Sequence, residues 1–230
     1  MSSGKITLVL DSSASPLLAA VAKDGRIFAA HRKGIKQEKL LFPVLDKLLQ
    51  KAGGALPEVE RVFIVRGPGR FTGIRISLTF ASMMQYLGGC DVRGATLFEV
   101  LRLQTEKSRA FKQWKKLHPQ GATAVVLHAF REEYFLQIFS PDNPAPLWLS
   151  REELLARLHG AQIPLFLTGS DKNGGALADL VGEDFTVAPK AVCTVRAATL
   201  VQMAQDETYR ARALEPLYLK PARFELVVPK

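Results

Sequence analysis

Two cysteines in 230 residues, Cys90 and Cys193, without a CxxC spacing, leave nothing for a disulfide framework. No apolar run approaches the roughly 18 residues that a membrane-spanning helix needs, so no membrane contact is expected. The opening "MSSGKITLVLDSS" has only a short apolar stretch, cut by Asp11, and predicts a first strand rather than a secretory signal. A reducing cytoplasm is the natural setting for such a chain. The four histidines, His31, His118, His128 and His159, are scattered; no pair stands at i, i+4 and no H-E-x-x-H occurs, so no metal is expected. There is no G-x-S-x-G elbow, and Cys90 in "LGGCDVRGA" has no histidine near it in sequence, so its thiol reads as inert. The residues offer no catalytic constellation and no cofactor site.

What is present is ordinary in bulk and biased in charge. The apolar fraction of 47% and the charged fraction of 23% are those of a globular protein, and the length allows one large domain or two small ones. The formal net charge is +9. Part of it is local: between Arg102 and His118 stand Arg102, Lys107, Arg109, Lys112, Lys115 and Lys116 against Glu106 alone. If that stretch is helical, Arg109, Lys112 and Lys116 share a face, with Trp114 nearby. A solvated helix face is the plain reading; contact with RNA phosphate is the alternative.

The element pattern opens with three antiparallel strands. "KITLVLDSSAS" is a strand running into a turn, and Asp24-Gly25 is a hairpin signal between two apolar runs. A helix follows with Leu41, Leu45, Leu48, Leu49 and Ala52 on one face, widened by Leu40, Phe42 and Val44 and ended by Gly53-Gly54. Pro43 has no N–H and must lie in the first turn or kink the helix. "RVFIVR" is a short buried strand. From Ile74 to Leu87 the pattern is helical but apolar in nearly every direction, with no charge between Arg75 and Asp91. Such a helix must be covered on both sides, by the sheet on one and by a second helix or another protein on the other. The second half repeats the grammar: strands "TAVVLHAF" and "EYFLQIFS", a helix capped by Ser150 and Glu153 and stopped by Gly160, strand "IPLFLTG", a short helix, strand "DFTVAP", a helix over 194–210 and an extended tail. This order predicts an α/β fold in two similar halves, residues 1–103 and 104–213, with a tail at 214–230 and a final helix that can pack back on the first half.

Two loops invite a phosphate. "RGPGRFTGIR", residues 66–75, carries three glycines between a strand and a helix, but Ile74 stands where a Walker loop needs Lys, and Thr72 stands where a dinucleotide loop needs its third glycine. Pro68 removes a further backbone donor. Arg66, Arg70 and Arg75 could still meet an anion at the helix N-terminus. A tight turn that lets glycine pack closely ranks above nucleotide binding. "LDSSAS" has an Asp at the end of a first strand, as in actin-like ATPases, but Ser12 and Ser13 follow Asp11 where a glycine is wanted. It reads as a degenerate phosphate loop, with Asp11 in a turn-forming or packing role.

The stretch "GPGRFTGIRISL" closely resembles the signature Gly-Pro-Gly-Ser-Phe-Thr-Gly-Leu/Val-Arg-Ile-Gly of the bacterial TsaB (YeaZ) family. Its signature turn is Gly67, Pro68, Gly69, Arg70, Phe71, Thr72, Gly73 and Arg75. "LVLDSS" is similar to that family's opening, "EKLLFPVLDKLLQKAG" to its first helix, "ATLFEVL" to the segment after the second, and "EPLYLKPARF" to its tail. The resemblance implies an actin/Hsp70-like (ASKHA, ribonuclease H-like) fold in two related halves, with mixed sheets flanked by helices. It implies a role without chemistry: a scaffold or activator paired with TsaD, the catalytic subunit that transfers a threonylcarbamoyl group to N6 of adenosine 37 in tRNAs reading codons that begin with A, with the ATPase TsaE as third member. Contact with tRNA would be indirect. The group is also called M22 glycoprotease-like, but nothing in these residues supports proteolysis.

The pairing implied runs through the first two helices, and the surplus of apolar surface on the second agrees with it. The residues expected at that interface, or at a homodimer through the same patch, are Leu41, Leu45, Leu48, Leu49, Ile76, Phe80, Met83 and Met84. The chain departs from the family at Arg70, which replaces Ser, at Gln37, which replaces a frequent His, and at His128 and Phe130, where relatives carry Asp-Ala-Arg. An active ATPase or small-molecule kinase of the same fold is the rival reading.

Overall fold

The computed structural model describes residues 5–34 and 36–220. Residues 221–230 of the expected tail lie outside the described residues. The described residues divide into two units: 5–34 and 36–100 join Arg196–Leu217 in the first, and Leu101–Val195 join Tyr218–Lys220 in the second. The segment carrying the last helix, Arg196–Leu217, folds with the first unit.

The first unit opens with β1 (Ile6–Asp11), β2 (Leu17–Lys23) and β3 (Arg26–Arg32), antiparallel as the pattern requires. Lys23 pairs with Arg26, so Asp24 and Gly25 alone make the turn, both at positive φ (50° and 72°), as the tightest hairpin demands. Helix α1 (Gln37–Lys51) follows, then β4 (Val59–Val65), α2 (Phe71–Gly88) and β5 (Asp91–Ala95). Pro43 sits in the second turn of α1 rather than the first, and the helix runs on past it to Lys51. Helix α2 stops at Gly89, whose φ of 63° is the left-handed conformation that a Cβ would oppose.

Helix α3 (Leu97–Glu106) is capped by Thr96 and Glu99, each side chain meeting the other's backbone N–H, at 2.6 and 3.1 Å. The second unit continues with α4 (Arg109–Leu117), β6 (Ala122–Phe130), β7 (Glu133–Phe139), β8 (Leu147–Ser150), α5 (Arg151–His159), β9 (Leu165–Ser170), α6 (Leu177–Val181) and β10 (Thr186–Val187). The Ser150–Glu153 capping box forms as the sequence predicts. Helix α7 (Ala197–Met203) is shorter than the expected 194–210 and packs on the first unit's β1, β2 and β4.

Each unit is built on one five-stranded mixed sheet. The orders are β3-β2-β1-β4-β5 and β8-β7-β6-β9-β10. In both, the first three strands are antiparallel and the last two run parallel to the central one. The two halves thus share one topology. It is the α/β arrangement expected, with mixed sheets flanked by helices. In the first unit, Leu8, Leu10, Leu17, Val62 and Ile64 from the sheet meet Leu41, Leu45, Leu48, Phe80 and Met84 from α1 and α2. In the second, Val126, Leu136 and Leu167 meet Leu154, Leu158 and Leu180.

Candidate functional site

The two phosphate-like loops are packed against each other. Asp11 ends β1, is 6% exposed, and accepts hydrogen bonds from the Ser13 N–H at 2.9 Å and the Ser13 hydroxyl at 2.6 Å. Burial pushes its carboxyl above the usual range, with the two Ser13 donors acting the other way. Ser12 donates to the Gly73 carbonyl at 2.6 Å and lies in a short hydrogen bond with Ser77. The Ser13 carbonyl accepts the Arg70 N–H at 2.7 Å.

The glycines of the signature answer these approaches. A Cβ on Gly69 would come to 2.3 Å from the Ser13 carbonyl oxygen, and one on Gly73 to 1.8 Å from that of Ser12. Gly67, at φ 113°, faces the Leu217 carbonyl oxygen, 2.6 Å from where its Cβ would stand. Three chain segments meet here at backbone distance, and protein atoms fill the turn. Gln37 adds a fourth tie, its Nε2 donating to the Ala14 carbonyl at 2.8 Å.

The three arginines of the stretch differ in their surroundings. Arg66 donates from Nη1 to the Glu215 carbonyl at 2.9 Å, and its half-buried position lowers its pKa. Arg75 lies over the Phe71 ring at 5.2 Å from the centroid, and Arg70 is exposed. Pro68 lies in the turn, and Thr72 is exposed beside Phe71 at the start of α2. Among the described residues no group of three His, Cys, Asp or Glu side chains could hold a metal ion, and no helix is long and apolar enough to cross a membrane.

The expected interface residues divide. Leu41, Leu45, Leu48, Leu49, Phe80 and Met84 are buried inside the first unit, so they serve its own core. Ile76 and Met83 are half-buried. The apolar surface left over lies beside them: Phe42 is 46% exposed and Phe71 52%. Between α1 and α2 runs a groove of about 460 Å³, floored by Leu41 and Phe80, walled by Phe42, Phe71, Ile76 and Met83, and rimmed by Glu38 and Arg75. Phe42 and Phe80 meet edge to face at 6.0 Å. Leu45, Leu48, Leu49 and Met84 do not line it. The sequence pattern counted Phe42 with the core stripe; only its place at the stripe's margin, next to Leu41, hinted that it would face out.

A second feature was missed altogether. Arg93 on β5 is fully buried, bound to Asp91 at 2.7 Å and to Glu207, while Arg61 reaches the same Asp91 oxygen at 3.0 Å. One arginine within "DVRGA" gave no signal of it.

A family model described as "TsaD: tRNA N6-adenosine threonylcarbamoyltransferase" matches residues 35–107, which span α1, the signature turn, α2 and α3. The chain is 28% identical to the tRNA threonylcarbamoyladenosine biosynthesis protein TsaB of Buchnera aphidicola, over 48% of this chain and 51% of that one. It is 27% identical to the TsaB protein of Haemophilus influenzae, over 57% and 52%. Over about half its length the chain is thus similar to TsaB proteins. Its match spans about half the length of these curated TsaB relatives. YeaZ from Pseudomonas aeruginosa superposes with a TM-score of 0.66 at 20% identity, over 94% of this chain and 100% of that one. The chain thus has the α/β fold of the YeaZ structure.

Proposed function

We propose that this chain is a non-catalytic subunit of the machinery that makes N6-threonylcarbamoyladenosine in tRNA, and that it docks a TsaD-type catalytic partner in the groove between α1 and α2. The carrying observation is that groove: two phenylalanines about half exposed beside Ile76 and Met83 on the two helices. Contiguous apolar surface of this kind marks an interaction site in a globular protein. The rim supplies one charge of each sign, Glu38 and Arg75, to set the partner's orientation. A TsaE-type ATPase is the third member, and a second copy of the chain occupies the groove when TsaD is absent. The position at Asp11, closed by Ser12, Ser13 and the signature turn, supports a role without ATP chemistry.

The test is reconstitution of the purified chain with a TsaD-type protein. Phe42→Asp with Phe71→Asp should abolish the complex while leaving the circular dichroism spectrum intact. Retained association by that double variant overturns the groove as the docking site. ATP turnover by the isolated chain, lost in Asp11→Ala, would instead establish the rival ATPase.

A further inference from the structure

Each sheet has two edges, and three of the four are short or covered. β8 is four residues long and β10 two. β5 is met by the returning segment, where a Cβ on Gly94 would stand 2.9 Å from the Ala213 carbonyl oxygen. β3 is different. It runs seven residues in unbroken register with β2, without proline or bulge, and among the described residues no strand pairs with its other side.

Lys23 and Arg26 close a two-residue hairpin and so form a hydrogen-bonded pair. Alternation then turns the N–H and C=O of Phe28, Ala30 and Arg32 toward β2, and those of Ile27, Ala29 and His31 away from the sheet. Ile27 is 41% exposed, and Ala29 and His31 are exposed as well. No turn, loop or side-chain hydrogen bond reaches these outward groups among the described residues, save Arg32 Nη1 on the His31 carbonyl at 3.2 Å.

An open edge of this length is a template for another strand, and proteins blunt such edges with charges, prolines or bulges. Here the charges stand only at the ends, and the middle, Ile27–Ala30, is uncharged. From Arg26 to Lys36 there are Arg26, Arg32, Lys33 and Lys36 and no acid, and none of the four enters an ion pair among the described residues. These charges select the occupant. If a second copy paired along the whole strand, centred on Ala29, Arg26 of each chain would lie opposite Arg32 of the other, and like charges directly opposite destabilise a ladder. An acidic strand gains where a copy loses. Arg26 and Arg32 share a sheet face with Phe28 and Ala30, both half-buried, so the complement reads acidic, apolar, apolar, acidic at alternate positions.

We propose that the free edge of β3 receives an extended acidic segment of a partner protein, added antiparallel as a further strand of the first unit's sheet. The backbone of Ile27, Ala29 and His31 holds it, Phe28 and Ala30 meet its apolar residues, and Arg26 and Arg32 meet its carboxylates. No residue of β3 lines the groove between α1 and α2, and the proposal does not rest on the docking assigned there.

The probe is the labelled, end-capped peptide Glu-Thr-Val-Thr-Val-Thr-Glu, titrated with the full chain and followed by anisotropy. It should bind saturably, and its counterpart with lysine at both ends should not. N-methylation of the threonines, whose N–H groups face β3 in this register, should abolish binding, and N-methylation of the valines should spare it. Arg26→Glu with Arg32→Glu should weaken the acidic peptide by at least about tenfold and let the lysine-ended peptide bind instead. Ala29→Pro removes an outward N–H but no bond to β2, and should also abolish binding. Phe42→Asp with Phe71→Asp should leave the titration unchanged.

Equal binding of the two N-methylated peptides would show charge attraction without strand addition and overturns the proposal, with no variant needed. So does binding of the acidic peptide no tighter than that of the lysine-ended one. Dimerisation of the wild type, read by sedimentation and lost in Ala29→Pro, would make a second copy the occupant and overturns it too.

Discussion

The Arg93 guanidinium, 1% exposed, closes on the Asp91 carboxylate at 2.7 Å from two positions along the same strand. Alternation would send both side chains to one face of β5, and there they also meet Arg61 from β4 and Glu207 from the returning segment. The cluster ties the segment after α7 to the first unit's sheet. Burial works against the charged Asp91, but the hydrogen bonds from Arg93 and Arg61 outweigh it and hold the carboxyl below the usual range.

Asp91→Ala should therefore destabilise the chain by about 3 kcal/mol, because it leaves the buried Arg93 with Glu207 alone. Urea denaturation reads the loss. The pH sign follows from the lowered carboxyl: its contribution is complete above the unfolded-chain pKa and fades as pH falls through the folded value. The wild type should lose stability below about pH 4, and Asp91→Asn should flatten that acid limb. An unchanged limb would mean that Asp91 is not the group being titrated.

Asp11 should behave in the opposite way. Its folded carboxyl is raised by burial, so it opposes folding once pH exceeds the unfolded-chain pKa. Asp11→Asn keeps an oxygen for the two Ser13 donors and removes the charge. The variant should match or exceed the wild type in thermal midpoint at neutral pH, and the gap should close as pH falls toward about 4. A large loss at neutral pH would show that the carboxylate itself is needed.

The glycines of the signature turn should rank by what stands next to them. Gly73→Ala drives a Cβ into the Ser12 carbonyl and should cost about 3 kcal/mol or more. Gly25→Ala meets nothing within 4 Å and carries only the penalty of its positive φ, about 1 kcal/mol. Denaturation midpoints compared side by side decide the order, and equal losses would contradict the close approach of the two loops.

Phe42→Asp and Leu45→Asp separate surface from core on one helix. Leu45 is 1% exposed, so a carboxylate there should cost at least ~4 kcal/mol and unfold the chain. Phe42 should tolerate the change within about 1 kcal/mol and lose only the partner. A folded Leu45→Asp protein, read by circular dichroism, would overturn the packing described for α1. Phe80→Asp belongs with Leu45→Asp, since Phe80 is buried as well.

Much of the frame was legible residue by residue. Asp24-Gly25 marked the first hairpin, the leucines of α1 its inner face, and Ser150 with Glu153 the start of α5. Elements with little pattern of their own escaped. β5 is five residues with an arginine inside it, and β8 is a four-residue edge strand whose role comes from pairing with β7. Of the candidate groove, periodicity found both bordering helices and four lining residues, Leu41, Ile76, Phe80 and Met83, but not Phe42 and Phe71 as its open walls. A helix apolar all round says that it must be covered, and nothing local says by what.

The sequence by itself determined the alternation of strands and helices, the turn that only glycine can make, and the surplus of apolar surface on α1 and α2. Those are properties of spacing and of single residues' backbone freedom. Only the tertiary structure decided that Leu45, Leu48 and Leu49 face inward while Phe42 and Phe71 line an open groove, that Ser12 and Ser13 close the turn beside Asp11, and that Arg93 finds its charges across the sheet. Each of these depends on which distant segment arrives next to a residue, and that is set by the packing of whole elements.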